Sequence, residues 1–152
     1  MVNLKIEKDI VVKRIEGIEA EINELKILSK FSLDEFKAGD GWKLAQFHLH
    51  RALEGVFNIG SHILSRIPGS TATQYKEIAR KLGETGIIAQ DFAAGKLIEM
   101  AKYRNRLVHF YSEVLPEELY SILQNDLSDF EVYLSSIKKL LENPSEFGLE
   151  VE

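Results

Sequence analysis

Apolar residues recur at three- and four-residue steps along almost the whole chain, and this period constrains the fold more than any other feature. No segment shows the sustained two-residue alternation of a strand bounded by turn residues. Because one helical turn takes 3.6 residues, the observed spacing places the apolar residues on one face of each helix. The sequence therefore predicts an all-α fold, an antiparallel up-and-down bundle of four long helices plus a short extra helix.

Capping and turn residues set the predicted boundaries. The capping-box pattern Ser32-Leu33-Asp34-Glu35 predicts a short turn of helix, and Pro68-Gly69 ends a long one. Asn143-Pro144 ends the last helix, and we expect the acidic tail beyond it to be frayed. No repeat, low-complexity stretch or linker interrupts residues 1–152, which are expected to form one domain. The long helices are predicted at about 4–28, 42–67, 89–111 and 116–141, with a shorter one that starts after Thr71 or Thr73 and ends at Leu82.

Composition excludes several kinds of chemistry. The 152 residues contain no cysteine, which removes disulfide scaffolds, thiolate metal sites, iron–sulfur clusters and thiol nucleophiles. The N-terminus lacks an apolar core of signal-peptide length, and no apolar run reaches the roughly 18 residues of a membrane span. We therefore expect a cytoplasmic protein without a membrane partner.

The charge is unevenly distributed. The net charge of −5 argues against a broad basic face that coats nucleic acid. Residues 113–152 contain ten acidic residues against two lysines, which we interpret as a solvated helix face, so the rest of the chain is slightly basic. Within that part, 96–109 contains four basic residues and one glutamate. Such a segment suits either a focused anionic ligand or an ordinary solvated helix face.

One arginine of that basic segment occupies a core position. Arg104 falls on a stripe with steps of four, three, four and three residues, the seam of a packed helix. An arginine there needs a carboxylate, a phosphate or a water-filled cleft, unless its stem packs while its head reaches solvent. The stripe consists of Leu97, Ala101, Arg104, Val108 and Tyr111.

Arg104 and His109 have the chemistry for phosphodiester cleavage without a metal or another cofactor. Histidine titrates near neutrality and can move a proton, while the guanidinium binds phosphate through a planar fork. On an ideal helix, however, the two residues lie about 140° apart. Either the helix loosens near His109, or a second chain completes the site with its own copy of the segment.

The second long helix carries a separate group of polar residues. His48, Arg51 and His62 share one side of it with an isoleucine, a face that lines a cleft or meets water. The histidines are too far apart for shared coordination, and no metal-site motif accompanies them, so we predict no metal site. Gly55 and Gly60 within this helix indicate a close approach of neighbouring helices.

The segment Arg104-Asn105-x-x-Val108-His109-x-Tyr111 resembles the R-x-x-x-x-H-x-Y motif of HepT toxins, which are HEPN-superfamily helical ribonucleases. Two further stretches, 51–54 and 58–64, look like the family's corresponding second helix, and the helix order is similar along nearly the whole chain. The resemblance implies a homodimer with two motif helices facing a shared cleft, and RNA as substrate. It also implies that Arg104 stabilises the phosphate, His109 is the general acid/base and Asn105 holds the motif geometry.

Tyr111 matches the family tyrosine that MNT-type nucleotidyltransferase antitoxins modify with adenylate groups. Modification there adds negative charge and bulk beside the phosphate site, which would silence it. An aromatic residue at a helix end that packs its ring is the alternative interpretation of Tyr111. For the whole protein, a toxin-like endoribonuclease is the first hypothesis. A non-catalytic helical subunit that presents substrate or nucleotide to such a nucleotidyltransferase is the second, and a purely structural dimerisation bundle is the third.

Overall fold

The computed structural model describes residues 4–109 and 114–152. Its regular structure is helical, and the one β-bridge in the described ranges joins Ile6 to Val151 in parallel. No helix in these ranges is both long enough and apolar enough to cross a membrane. The helices are α1 (Lys8–Leu28), α2 (Leu33–Ala38), α3 (Gly41–Leu64), α4 (Tyr75–Thr85), α5 (Gln90–Phe92), a π-turn (Ala93–Leu97), α6 (Ile98–Leu107), α7 (Pro116–Asn125), α8 (Ser128–Glu142) and a 3₁₀ turn (Pro144–Phe147).

Local sequence explains most of these elements. The Ser32 hydroxyl accepts from the Glu35 amide while the Glu35 carboxylate accepts from the Ser32 amide, so the predicted capping box forms. Pro116 occupies the first turn of α7, where its missing N–H costs nothing. Gly86 ends α4 with a φ of 80°, a left-handed conformation that favours glycine.

Helices α1 and α3 pack antiparallel and form the centre of the molecule. Gly55 of α3 lies against Ile18 of α1, so close that a Cβ at position 55 would come within 2.6 Å of the isoleucine Cγ1. Gly60 faces α4 in the same way, because a Cβ at position 60 would lie 2.8 Å from Cγ2 of Ile78. Both glycines thus mark close helix approaches, as their positions within a predicted helix indicate.

The helix that carries the sequence motif differs from its predicted bounds. α5, the π-turn and α6 follow one another without a break, and the π-turn inserts a wider turn into the helical ladder. The prediction that this helix runs to Tyr111 is wrong in the described range, because α6 ends at Leu107.

The C-terminal third also departs from the prediction. The expected single helix over 116–141 is two helices, α7 and α8, separated at 126–127. The tail beyond Pro144 is not frayed: Leu149 is buried, and the Glu152 amide donates to the Ile6 carbonyl. Buried apolar side chains from Ile6 to Leu149 form one cluster.

Candidate functional site

Arg104 lies at the edge of the bundle, on the apolar stripe predicted from the sequence. Leu97 and Ala101, the preceding members of the stripe, are fully buried, whereas the Arg104 side chain keeps 24% of its surface exposed. Its Nε donates to Oε1 of Glu54 in α3 over 2.5 Å. A carboxylate therefore balances the charge of this arginine, which is one of the solutions that the sequence left open.

Tyr75, the first residue of α4, contacts both members of this ion pair. The centroid of its ring lies 4.0 Å from Cζ of Arg104, a cation–π distance, and its hydroxyl donates to Oε2 of Glu54 over 3.2 Å. The ring also stacks on Phe57 with 5.0 Å between centroids. Burial raises the pKa of Tyr75 and the Glu54 carboxylate raises it further, so the hydroxyl remains a donor at neutral pH.

His50 lies one helical turn before Glu54 on α3. Its Nε2 is 3.4 Å from Oε1 of Glu54, the same oxygen that accepts from Arg104. That nitrogen is buried and has no hydrogen-bond partner in the described part of the chain. The carboxylate of Glu54 is thus surrounded by an imidazole, a phenol and a guanidinium from α3, α4 and α6.

Asn105 lies beside Arg104 on a shallow groove. Its Oδ1 accepts from Nη1 of Arg104 over 3.5 Å, the outer limit of a hydrogen bond. The role of Asn105 in holding the motif geometry stays a prediction. The groove lies between the start of α4 and α6, and its lining is Thr73, Gln74, Tyr75, Lys76, Arg104 and Asn105.

His109 lies two residues beyond the end of α6. Its amide donates to the Arg106 carbonyl over 3.3 Å, and its side chain is exposed. The 140° separation expected for a continuous helix therefore does not describe the relation of His109 to Arg104. Tyr111, the predicted modification site, falls outside the described residues.

The other basic residues of segment 96–109 face carboxylates of the same chain. Arg106 makes two hydrogen bonds with Glu118, of 2.6 and 2.8 Å, and Lys102 pairs with Glu99 one turn away. The pKa of Glu118 lies below its usual range, chiefly because Arg106 donates to it. Lys96 lies within 4 Å of both Asp126 and Asp129. The acidic C-terminal third thus neutralises much of the basic segment.

The two histidines of α3 that the sequence singled out contact α1 and the residue that immediately precedes it. Nδ1 of His48 lies 2.6 Å from Glu21, and Arg51 donates to the same carboxylate over 2.7 Å. The Glu7 amide donates to Nε2 of His62, whose pKa is lowered by burial. These contacts join α1 to α3. Among the described residues, no group of three or more histidine, aspartate or glutamate side chains is placed to hold a metal ion.

Sequence reasoning missed three residues of the Arg104 cluster. Glu54 falls within the stretch 51–54 that resembles the family's second helix, and no sequence pattern singles out His50 or Tyr75. Tyr75 and Glu54 are 21 residues apart, and Glu54 and Arg104 are 50 apart. Local periodicity carries no signal for such pairs, so the only available hint was the need of Arg104 for a carboxylate.

A family model described as "HepT-like: Ribonuclease HepT-like" matches residues 18–137, most of the chain. The chain belongs to the HepT-like ribonuclease family. The resemblance predicted from the motif and the assignment to a class of RNases are thereby confirmed. One curated relative of this HepT-like chain is the tRNA nuclease HepT of Aphanizomenon flos-aquae (strain 2012/KM1/D3). It is 26% identical over 137 residues, which cover 90% of this chain and 92% of the relative.

Solved structures share the fold of this HepT-like chain. The Shewanella oneidensis HEPN toxin, described as tri-AMPylated and in complex with MNT antitoxin, is 23% identical, with a TM-score of 0.78. The match covers 86% of this chain and 98% of the toxin chain. A toxin–antitoxin structure with AMP-PNP gives a TM-score of 0.73 at 24% identity, with the same coverage of both chains. The predicted all-α, HEPN-like fold is confirmed.

Proposed function

We propose that this HepT-like protein is a toxin-like endoribonuclease that cleaves RNA without a metal ion. Family membership supports RNA as the substrate class. The observation that carries the proposal is the guanidinium of Arg104, held by Glu54 and Tyr75 while its edge lines an open groove. Because one curated relative is named a tRNA nuclease, tRNA is the first substrate to test.

In the proposed reaction, His109 takes the proton of a ribose 2′-hydroxyl, whose oxygen then attacks the adjacent phosphorus. A bond from the 2′ oxygen to phosphorus forms and the bond from phosphorus to the 5′ oxygen breaks. The 5′ oxygen takes a proton from the imidazolium of His109, the general acid/base, which leaves a 2′,3′-cyclic phosphate, a 5′-hydroxyl end and a neutral His109. Arg104 stabilises the charge that develops on the phosphoryl oxygens. Asn105 holds the motif geometry. DNA lacks the attacking hydroxyl and is not a substrate.

The direct test is cleavage of tRNA by purified, unmodified protein in EDTA. We expect cleavage by wild type and by Lys139→Ala, an exposed substitution on α8, and loss of cleavage in Arg104→Ala and His109→Ala. A folded, unmodified wild type that leaves RNA intact contradicts the ribonuclease mechanism. In that case the protein is better described as a non-catalytic subunit that presents substrate or nucleotide to a nucleotidyltransferase.

The proposal includes a homodimer whose two motif helices share one cleft. Mixing Arg104→Ala and His109→Ala protomers tests whether each site takes its arginine and its histidine from different chains. If it does, random exchange restores about a quarter of the wild-type activity, since half the dimers are mixed and each has one intact site. If subunit exchange is demonstrated and no activity is recovered, each site takes its arginine and its histidine from the same chain.

Regulation by an MNT-type nucleotidyltransferase antitoxin through AMPylation of Tyr111 completes the proposal. The similar solved toxins are described in complexes with such an antitoxin, and one of them as tri-AMPylated. Intact-mass analysis after co-expression with the partner enzyme, in the cytoplasm where we place this system, should show adenylate-sized increments. These increments should be absent from Tyr111→Phe. Unchanged mass in the wild type excludes this mode of regulation.

A further inference from the structure

A second groove runs between α1 and α3 and reaches the cluster around Arg104. The two helices lie antiparallel, with Glu21 opposite Arg51 and Ile18 opposite Gly55. The lining on α1 extends from Ile10 to Glu21, a length of about 16 Å at the helical rise. From α3, the groove is lined by His50, Arg51, Glu54, Gly55 and Asn58.

The α1/α3 groove carries positive charge that nothing on its walls neutralises. Lys13 and Arg14 are exposed on α1, and neither has an ion-pair partner among the described residues. Both carboxylates of the groove are already engaged: Glu21 by His48 and Arg51, and Glu54 by Arg104. The basic residues of segment 96–109 are paired with carboxylates. In the described part of the chain, this groove therefore holds two neighbouring cations without an ion pair, whereas the segment that looked basic in the sequence is neutralised.

Glu54 joins the groove to the guanidinium of Arg104. Its carboxylate lines the groove and also accepts from Nε of Arg104 over 2.5 Å. His50 lies at the same junction, with its buried Nε2 3.4 Å from that carboxylate. A polyanion bound along α1 and α3 therefore ends next to the arginine assigned to the scissile phosphate.

We propose that the α1/α3 groove binds the phosphodiester backbone of the substrate RNA on one side of the cleavage site, with Lys13 and Arg14 on successive phosphates. This inference rests on the proposed ribonuclease function and adds a substrate-binding surface to it. A protein with a net charge of −5 repels RNA over most of its surface, so a local pair of uncompensated cations directs the strand.

The test measures binding separately from cleavage. The probe is a labelled single-stranded 2′-O-methyl RNA, which lacks the attacking hydroxyl and stays intact, and anisotropy is recorded over a range of salt concentrations. We expect Lys13→Ala/Arg14→Ala to bind about tenfold more weakly than wild type, with a shallower salt dependence, because two phosphate contacts are lost. Lys30→Ala/Lys139→Ala removes two exposed cations elsewhere on the chain and should bind as wild type.

Each other outcome overturns the proposal in a distinguishable way. If both double variants bind the RNA equally more weakly than wild type, binding depends only on the net charge of the protein and not on this groove. Wild-type binding by Lys13→Ala/Arg14→Ala, with native RNA still cleaved, removes the groove and leaves the proposed function intact. If that variant keeps RNA binding but loses a nucleotidyltransferase partner, the groove is a protein-docking surface. A wild type that neither binds nor cleaves RNA ends both proposals.

Discussion

At the scale of single residues, the position of Arg104 is set by the side chain opposite it. Glu54 accepts from Nε, the inner nitrogen of the guanidinium, and Cζ of the group lies over the ring of Tyr75. This arrangement fixes the arginine from two directions at once. A phosphate that approaches from the groove meets a guanidinium that is already oriented, which lowers the entropic cost of binding.

Glu54→Gln tests this orienting role. We expect the turnover number for RNA cleavage to fall on the order of tenfold, because the amide holds the guanidinium less firmly than a carboxylate. The matched control is Glu131→Gln, which removes the charge of an exposed ion pair with Lys26 and should have no effect. An unchanged turnover number with only a raised KM assigns Glu54 to RNA binding instead.

Two substitutions of Tyr75 separate the contribution of its ring to stability and activity from that of its hydroxyl. Tyr75→Ala loses the stacking on Arg104 and Phe57, so we expect the free energy of unfolding to drop by about 2 kcal/mol, together with RNA cleavage. Tyr75→Phe keeps both stacking contacts and should retain most of the stability and activity. Urea unfolding and cleavage assays on the pair check this; equal losses in both variants refute the importance of the ring.

At the scale of helices, we expect alanine substitutions at two glycines, one on each of two facing helices, to change the free energy of unfolding in opposite directions. A Cβ at Gly55 collides with Ile18, and we expect Gly55→Ala to lower the free energy of unfolding by about 1 to 3 kcal/mol. A Cβ at Gly17, within α1, meets nothing within 4 Å, so Gly17→Ala should stabilise the protein by up to about 1 kcal/mol. Chemical denaturation of both variants measures the difference, and a shared sign contradicts the packing described for α1 and α3.

At the scale of the whole molecule, pH couples to the contact between α1 and α3. Burial, with a further contribution from Arg66, lowers the pKa of His62 in the folded protein below its usual value. The unfolded chain therefore binds the proton more readily, and stability falls as pH drops through about 6.5, the ordinary histidine value.

This predicts a smaller loss of stability in His62→Gln, whose side-chain oxygen still accepts from the Glu7 amide. Urea unfolding of wild type and variant at pH 7.5 and pH 5.5 checks the prediction. Carboxylates with a lowered pKa, such as Glu118, lose their contribution at more acidic pH, below the ordinary glutamate value. A loss between the two pH values that is the same in both proteins removes His62 as the cause.

Much of the architecture follows from local sequence. Helical periodicity, the Ser32 capping box and the prolines at 68, 116 and 144 place most of the helices, because each acts within a few residues. The errors arise where tertiary packing decides. The break at 126–127 divides a segment whose apolar period is continuous, and the tail is ordered by pairing with residue 6, which is distant in sequence.

The sequence by itself determined the all-α class, the family motif and the fact that Arg104 needs an anionic partner, since all three follow from residue types at short spacing. Only the tertiary structure decided what that partner is. Glu54 and Tyr75 contact Arg104 from two other helices. Lys13 and Arg14 have no ion-pair partner in the described ranges, while the basic residues beside the motif pair with carboxylates. Such pairings depend on how whole helices pack. A helical period shows which face of its own helix a residue occupies, but not which residues of another helix that face contacts.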